Sequence, residues 1–312
     1  MHEEPRHGRS GRIREQFESA RLRPDGGSLS AGWIAAETTC YTIVFTPRSG
    51  SNLLCDVLRA NGLGQPSEYF QHPLGVANAA YYRELGVSPD DFKTFLTRLV
   101  TDKSQNGIFG VKLTWDHKNV LVEALRRHFG RNDGLVALSP RLRWVHLQRR
   151  DKIGQAISLW RASKSGIWTS STPRSGEADE LEYDFFGLLS MLQAILTEEH
   201  LWEEFFQTEG IEPVRVLYED LLREPAAAVL RVARAVQEAA GVELIRCEAD
   251  LRLRTSLAVQ RDGRSAELAA RMRDDLDHLG VTAYWQPRAR ELARWLRFFE
   301  GEGWKCDGRD ET

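Results

Sequence analysis

The segment Thr46-Pro47-Arg48-Ser49-Gly50-Ser51-Asn52-Leu53-Leu54 constrains this chain more than any other. It follows a short apolar run, Tyr41–Phe45, and opens an apolar-periodic stretch that ends at Asn61-Gly62. The pattern predicts a buried strand, a tight loop and a helix. Such a loop aims backbone N–H groups and the positive end of a helix at one point, which suits phosphate or sulfate. Arg48 adds a fixed charge and a planar fork of donors. The spacing and Lys of a GxxxxGK[ST] nucleotide loop are missing, which argues against a kinase or ATPase.

Three more apolar runs, Ile108–Leu113, Leu142–Gln148 and Val214–Tyr218, read as buried strands. Helical patterns lie between and after them, at Asp90–Asp102, Asn119–Phe129, Lys152–Lys164, Tyr183–Glu209 and Ala226–Ala240. This alternation predicts an α/β fold, a parallel sheet covered on both faces by helices in three layers. Ligands of such sheets sit beyond the carboxyl ends of the strands. Thr46 to Asn52, Lys112, Arg149 and Glu219 all fall at or just after predicted strand ends, so four segments converge on one edge.

Residues 1–39, rich in Arg, Glu, Gly and Ser, are expected to form a flexible arm, with the main domain over 40–280. Residues 281–312 read as a helical extension. Apolar residues at helical spacing in its 287–300 segment favour docking onto the chain's own core, with a homodimer contact as the second reading. The upstream part of Arg246–Arg297 is mixed in charge, as a solvated helical face is. A polar Ser/Thr/Gly/Pro stretch at 168–182 is either a linker or a lid.

A hydrophobic content of 42% with nine Trp can fill a substantial core, and a net charge of −3 gives no reason to expect a nucleic-acid partner. Cys40, Cys55, Cys247 and Cys306 form no CxxC pair, so neither a disulfide framework nor a zinc pattern is indicated, and reduced thiols in a cytoplasm are expected. No apolar run approaches the roughly 18 residues of a membrane-spanning helix.

Three further groups carry chemistry. In His146-Leu147-Gln148-Arg149-Arg150-Asp151, a strand gives way to a double Arg and then to a helix with Ser158, Trp160 and Arg161. Arg at a strand end with a hydroxyl two turns later can clamp a second phosphate, although a solvated Arg pair is the plainer reading. Glu68, in Gly64-Gln65-Pro66-Ser67-Glu68-Tyr69-Phe70, is flanked by aromatics that can raise a carboxyl toward the range of a general base. By residue type alone it is a loop glutamate in water. Lys112, in Gly110-Val111-Lys112-Leu113-Thr114-Trp115, sits on a predicted buried strand and needs an anionic partner or an exit to solvent. Glu219 could supply a carboxylate near the loop or serve as a helix cap.

Taken in order, the blocks FTPRSGSNLL at 45–54, GQPSEYFQ at 64–71, GVKLTW at 110–115, HLQRRDKIGQAISLWRA at 146–162 and QRDGRS at 260–265 resemble the Stf0 type of bacterial sulfotransferase. The resemblance implies a sulfotransferase fold and 3′-phosphoadenosine 5′-phosphosulfate (PAPS) as sulfuryl donor, with PAP as product and no metal. It implies that Thr46, Pro47, Arg48, Ser49, Gly50, Ser51, Asn52 and Leu53 bind the 5′-phosphosulfate. Arg149 or Arg150, with Ser158, would bind the 3′-phosphate, and Gln260 and Arg264 would close over the donor. Glu68 would be the base and Arg48 would meet the leaving oxygen. The acceptor would be a hydroxylated small molecule: a carbohydrate, glycolipid or glycosylated natural product. Gln65, Tyr69, Phe70, Lys112, Trp115 and Trp168 are expected on its side, with Trp160 as readily core. Pro47 and Gln65 depart from the family's trehalose-sulfating pattern and argue against trehalose itself. The alternatives are a nucleotide-dependent phosphotransferase and a silent PAP-binding protein.

Overall fold

The structure, a computed structural model, describes residues 38–70, 76–130, 134–135, 139, 142–168, 181–253 and 263–279. The arm read over most of 1–39, most of the 168–182 loop, Gln260, Cys306 and the extension at 281–312 lie outside the described residues.

Among these residues the strands are β1 (Thr39–Phe45), β2 (Ile108–Leu113), β3 (Arg143–Gln148) and β4 (Val214–Leu217). They pair in parallel in the order β2-β1-β3-β4. The helices are α1 (Ser51–Ala60), α2 (Val76–Glu84), α3 (Phe92–Lys103), α4 (Trp115–Phe129), α5 (Lys152–Ser165), α6 (Phe185–Glu209), α7 (Tyr218–Arg223), α8 (Pro225–Ala240) and α9 (Gly263–His278). None is long and apolar enough to cross a membrane.

Strand residues alternate between two cores, as the two-residue period of a strand requires. Tyr41, Ile43, Phe45, Val145 and Leu147 pack on Leu54 and Leu58 of α1 and Val229, Val232 and Val236 of α8. Cys40, Val44, Phe109, Val111 and Trp144 face the other way, toward Phe95 and Leu99 of α3, Leu121 and Leu125 of α4, and Trp202 and Phe206 of α6. A third cluster joins α5, α6 and α9 through Ile157, Trp160, Leu192, Leu268 and Met272. The mixed-charge segment therefore buries one face of α9 and leaves most of its other positions exposed.

Helix limits follow local chemistry. Asp91, Asp151 and Asp184 accept the N–H of Thr94 (3.1 Å), Gly154 (2.9 Å) and Gly187 (2.9 Å) at the starts of α3, α5 and α6. Left-handed glycines 130, 166, 210 and 241 end α4, α5, α6 and α8.

The connection leaving β1 runs to β2 on one side, and that leaving β3 runs to β4 on the other. β1 and β3 are neighbours, so their carboxyl ends flank a crevice, the usual ligand position in an open parallel sheet.

On the far core, Glu203 of α6 lies 3.3 Å from His146 Nδ1 and accepts from Arg215 at 2.6 and 2.9 Å. Burial alone would raise its pKa, but the hydrogen bonds and charges of His146 and Arg215 outweigh burial and hold it at about 2, below the ordinary 4.5. A depressed carboxyl contributes stability above its unfolded pKa and loses it as pH falls through the folded value. Urea unfolding from pH 7 to pH 2 should show stability falling below pH about 4.5. Glu203→Gln should cost up to about 3 kcal/mol at pH 7 and flatten that decline.

Candidate active site

Between Phe45 and Ser51 the chain turns with Arg48 at φ 68° and Gly50 at φ 89°. Left-handed backbone at a non-glycine residue costs about 1–2 kcal/mol, so the surroundings must hold Arg48 there. At Gly50 a Cβ would stand 2.5 Å from Cδ2 of Tyr218. The ring packed on the loop thus requires glycine for space as well as for φ. No side chain caps α1 at Gly50, in contrast to α3, α5 and α6. The first amides of α1 and its positive end are left for an external anion.

Two guanidinium groups meet at the crevice. Arg149 Nη1 donates to Arg48 O at 3.3 Å and Nη2 lies 3.4 Å from Asp151 Oδ2, with the guanidinium 5.0 Å from the centroid of the Tyr218 ring. Arg48 Nε donates to Ser158 Oγ at 2.9 Å, and its Nη1 donates to Trp168 O. Burial, then the like charge of Arg149, lowers the Arg48 pKa from its ordinary value. Among the described residues, Arg149 Nε and Ser49 Oγ are buried without a hydrogen-bond partner. Like charges brought together beside an orphaned donor, a hydroxyl and an uncapped helix start fit a tetrahedral anion.

Lys112 links this loop to the predicted base. Its buried Nζ lies 2.7 Å from Glu68 Oε1 and 3.4 Å from Ser51 Oγ, and it donates to Asn52 Oδ1. The anionic partner that a lysine on a buried strand requires is therefore Glu68. Lys112 N also donates to Ser67 O at 3.0 Å, which binds the 64–68 run alongside β2 and delivers Glu68 to the crevice.

Other residues picked out by the sequence fall in several places. Tyr69 and Phe70 turn into the core, 1% and 3% exposed, Tyr69 stacked near Phe109 and Phe70 tilted to Phe92 and edge-on to Phe95. Their rings pack the core instead of lining an acceptor site, and the immediate partner of Glu68 is a cation. The backbone of Gln65 is tied to the end of α3, its N–H donating to Lys103 O at 3.0 Å. Trp115 packs edge-on to Trp202 at 5.0 Å, with Lys118 Nζ 3.4 Å from its ring centroid. Trp160 is core, and Trp168 is half exposed. Ser158 serves Arg48 instead of standing with Arg149, while Arg150 is exposed. Glu219 accepts the N–H of Arg150 at 3.0 and 3.1 Å and of Asp151 at 3.2 Å, capping the turn between β3 and α5. Arg264 pairs with Glu267 at 2.8 Å and donates to Leu181 O at 2.9 Å.

Some residues here escaped the sequence reading. Gln155, Lys152 and Glu199 are buried beneath the loop, with Lys152 on Glu199 and Gln155 on Thr46 and Pro47. A lysine and a glutamine at core-facing positions of a helix were the available signal. His117 lies near the Lys112–Glu68 pair. Burial lowers its pKa, the carboxylates of Glu68 and Asp116 raise it, and Lys112 lowers it further. Among the described residues no group of three or more His, Cys, Asp or Glu could hold a metal ion.

Gly50→Ala should lose about 2 kcal/mol and lower the melting temperature by about 4–8 °C, from left-handed strain and contact with Tyr218. Scanning calorimetry checks this, and an unchanged melting temperature would contradict the packing of Tyr218 on the loop.

The family model described as Stf0 sulphotransferase matches residues 40–275. The chain is also similar to a trehalose 2-sulfotransferase of Mycobacterium tuberculosis (strain ATCC 35801 / TMC 107 / Erdman), 28% identical over 268 residues, covering 77% of this chain and 97% of that protein. It is 27% identical over 272 residues to a trehalose 2-sulfotransferase of Mycolicibacterium smegmatis (strain ATCC 700084 / mc(2)155), covering 78% and 97%.

Proposed function

Because this chain belongs to the Stf0 sulphotransferase family, matched over residues 40–275, we propose that it transfers a sulfuryl group from PAPS to a hydroxyl of a small carbohydrate acceptor. The observation that carries this reading is Lys112, which touches both Glu68 and the anion loop. Catalysis is assigned to residues 40–280, with 1–39 and 281–312 as accessory segments.

PAPS supplies an activated sulfuryl group on its 5′-phosphate. By analogy with phosphoryl transfer, a loose transition state leaves the protein to position groups and neutralise charge. Arg48, Ser49 and the amides that open α1 hold the phosphate end and balance charge on the leaving oxygen. Glu68 takes the proton of the attacking hydroxyl, while Lys112 orients its carboxylate and ties it to Ser51 and Asn52. Arg149, with its buried Nε unpartnered, and the exposed Arg150 are the two candidates for the 3′-phosphate. Ser158 reaches that group only by sharing or leaving Arg48. Arg264 and Gln260 belong to the segment assigned to closing over the donor.

The relatives' names make a sugar hydroxyl the first acceptor to test. Of the two departures from the trehalose pattern, Pro47 sits in the anion loop. Gln65 lies in the same run as Glu68, three residues before it, and stays on the acceptor side in this reading. Glycolipids and glycosylated natural products belong in the same screen, read by the mass gain of a sulfuryl group.

Calorimetry with PAP should give binding that does not depend on magnesium and is lost in Arg48→Ala. Magnesium-dependent binding of ATP with none of PAP would overturn the donor assignment. Glu68→Gln should keep PAP binding and lower kcat by about 10²–10⁴-fold. Near-normal turnover in that variant would remove Glu68 from the mechanism.

A further inference from the structure

Gln155 stands on α5 among buried neighbours, its side chain wholly enclosed. Its Nε2 donates to Thr46 Oγ1 at 2.7 Å and to Pro47 O at 2.8 Å, with Thr46 O at 3.5 Å. The next carbonyl, Arg48 O, accepts from Arg149 Nη1 at 3.3 Å. Two successive carbonyls are thus drawn toward α5 and the strand end that precedes it.

A trans peptide points its C=O and N–H in opposite directions. The N–H groups of Arg48 and Ser49, which follow those carbonyls, therefore turn to the other side of the loop. The left-handed φ of Arg48 needs such restraint to persist. Stability alone does not explain the residue, because Gln155 Oε1 is buried with no partner among the described residues, an arrangement that by itself is costly. Thr46 Oγ1, the first acceptor of Gln155, is also 3.5 Å from Glu199 Oε1, and Glu199 binds Lys152. The amide is thereby fixed with its donors on the loop. Backbone donors oriented before a ligand arrives need no reorganisation when it binds.

We infer that Gln155 is a positioning residue. It sets the plane of the peptide between Pro47 and Arg48, as Arg149 does for the next one, so that the loop's N–H groups receive the 5′-phosphate end of the donor. This rests on the donor-site reading above.

The test measures binding of PAP, adenosine 5′-monophosphate and adenosine 3′-monophosphate to the full chain. Gln155→Met keeps the length of the side chain and removes its donors. It should weaken PAP and the 5′-monophosphate by about tenfold or more, the order expected for lost oriented hydrogen bonds. The 3′-monophosphate should bind as to wild type. An equal loss for both monophosphates means general loosening and overturns the inference, as does unchanged PAP affinity. Gln155→Glu gives a second readout that holds if the methionine variant does not fold. An ionised carboxyl has no donor for Pro47 O, whereas a protonated one does. Relative to wild type at the same pH, PAP binding should be weakened at pH 8 and partly restored at pH 5. A pH-independent ratio equal to one overturns the inference. Wild-type protein that fails to bind PAP sinks the donor reading itself, whereas wild type that binds PAP no better than Gln155→Met sinks only the role of Gln155.

Discussion

A lysine ammonium cannot lie bare inside a sheet, and much of the site follows from where Lys112 finds its partners. Its strand position is fixed by pairing with β1, which sets Lys112 opposite Ile43. The charge must then be met by side chains from outside the sheet. Glu68 comes from the run beside β2, and Ser51 and Asn52 come from the start of α1. One desolvated cation thus joins three segments distant in sequence, and removing either partner of such a pair leaves the other charge uncompensated.

A second layer of restraint lies behind the loop. Thr46 meets Gln155 and Glu199, Arg48 meets Ser158 and Arg149, and Tyr218 packs where Gly50 has no side chain. These partners come from α5, α6, the turn after β3 and the junction of β4 with α7. Short strands that end at the crevice bring them together. The anion loop is shaped more by side chains packed behind it than by its own residues.

Much of this was legible in the sequence. Strands read as short apolar runs, so all four were visible; β2 matched at both ends and the others were displaced at one end by one or two residues. Val214–Tyr218 overran because Tyr218 already begins α7, a distinction that hydrophobicity does not make. The need of Lys112 for an anion was visible, but its partner was not, because pairing across 44 residues depends on the register of the 64–68 run. The aromatics beside Glu68 misled for a related reason. In an extended run successive side chains need not share a surroundings, and Tyr69 and Phe70 go to the core while Glu68 goes to the cation. Gln155 was hidden in a helix that reads as core on every neighbouring position.

Tyr218 touches two parts of the site at once, with its ring against Gly50 and beneath the guanidinium of Arg149. Making room for a side chain at position 50 by trimming the tyrosine would also withdraw the platform under Arg149. A change at either place thus demands simultaneous adjustment at the other, and stepwise drift through single replacements meets a barrier in both directions.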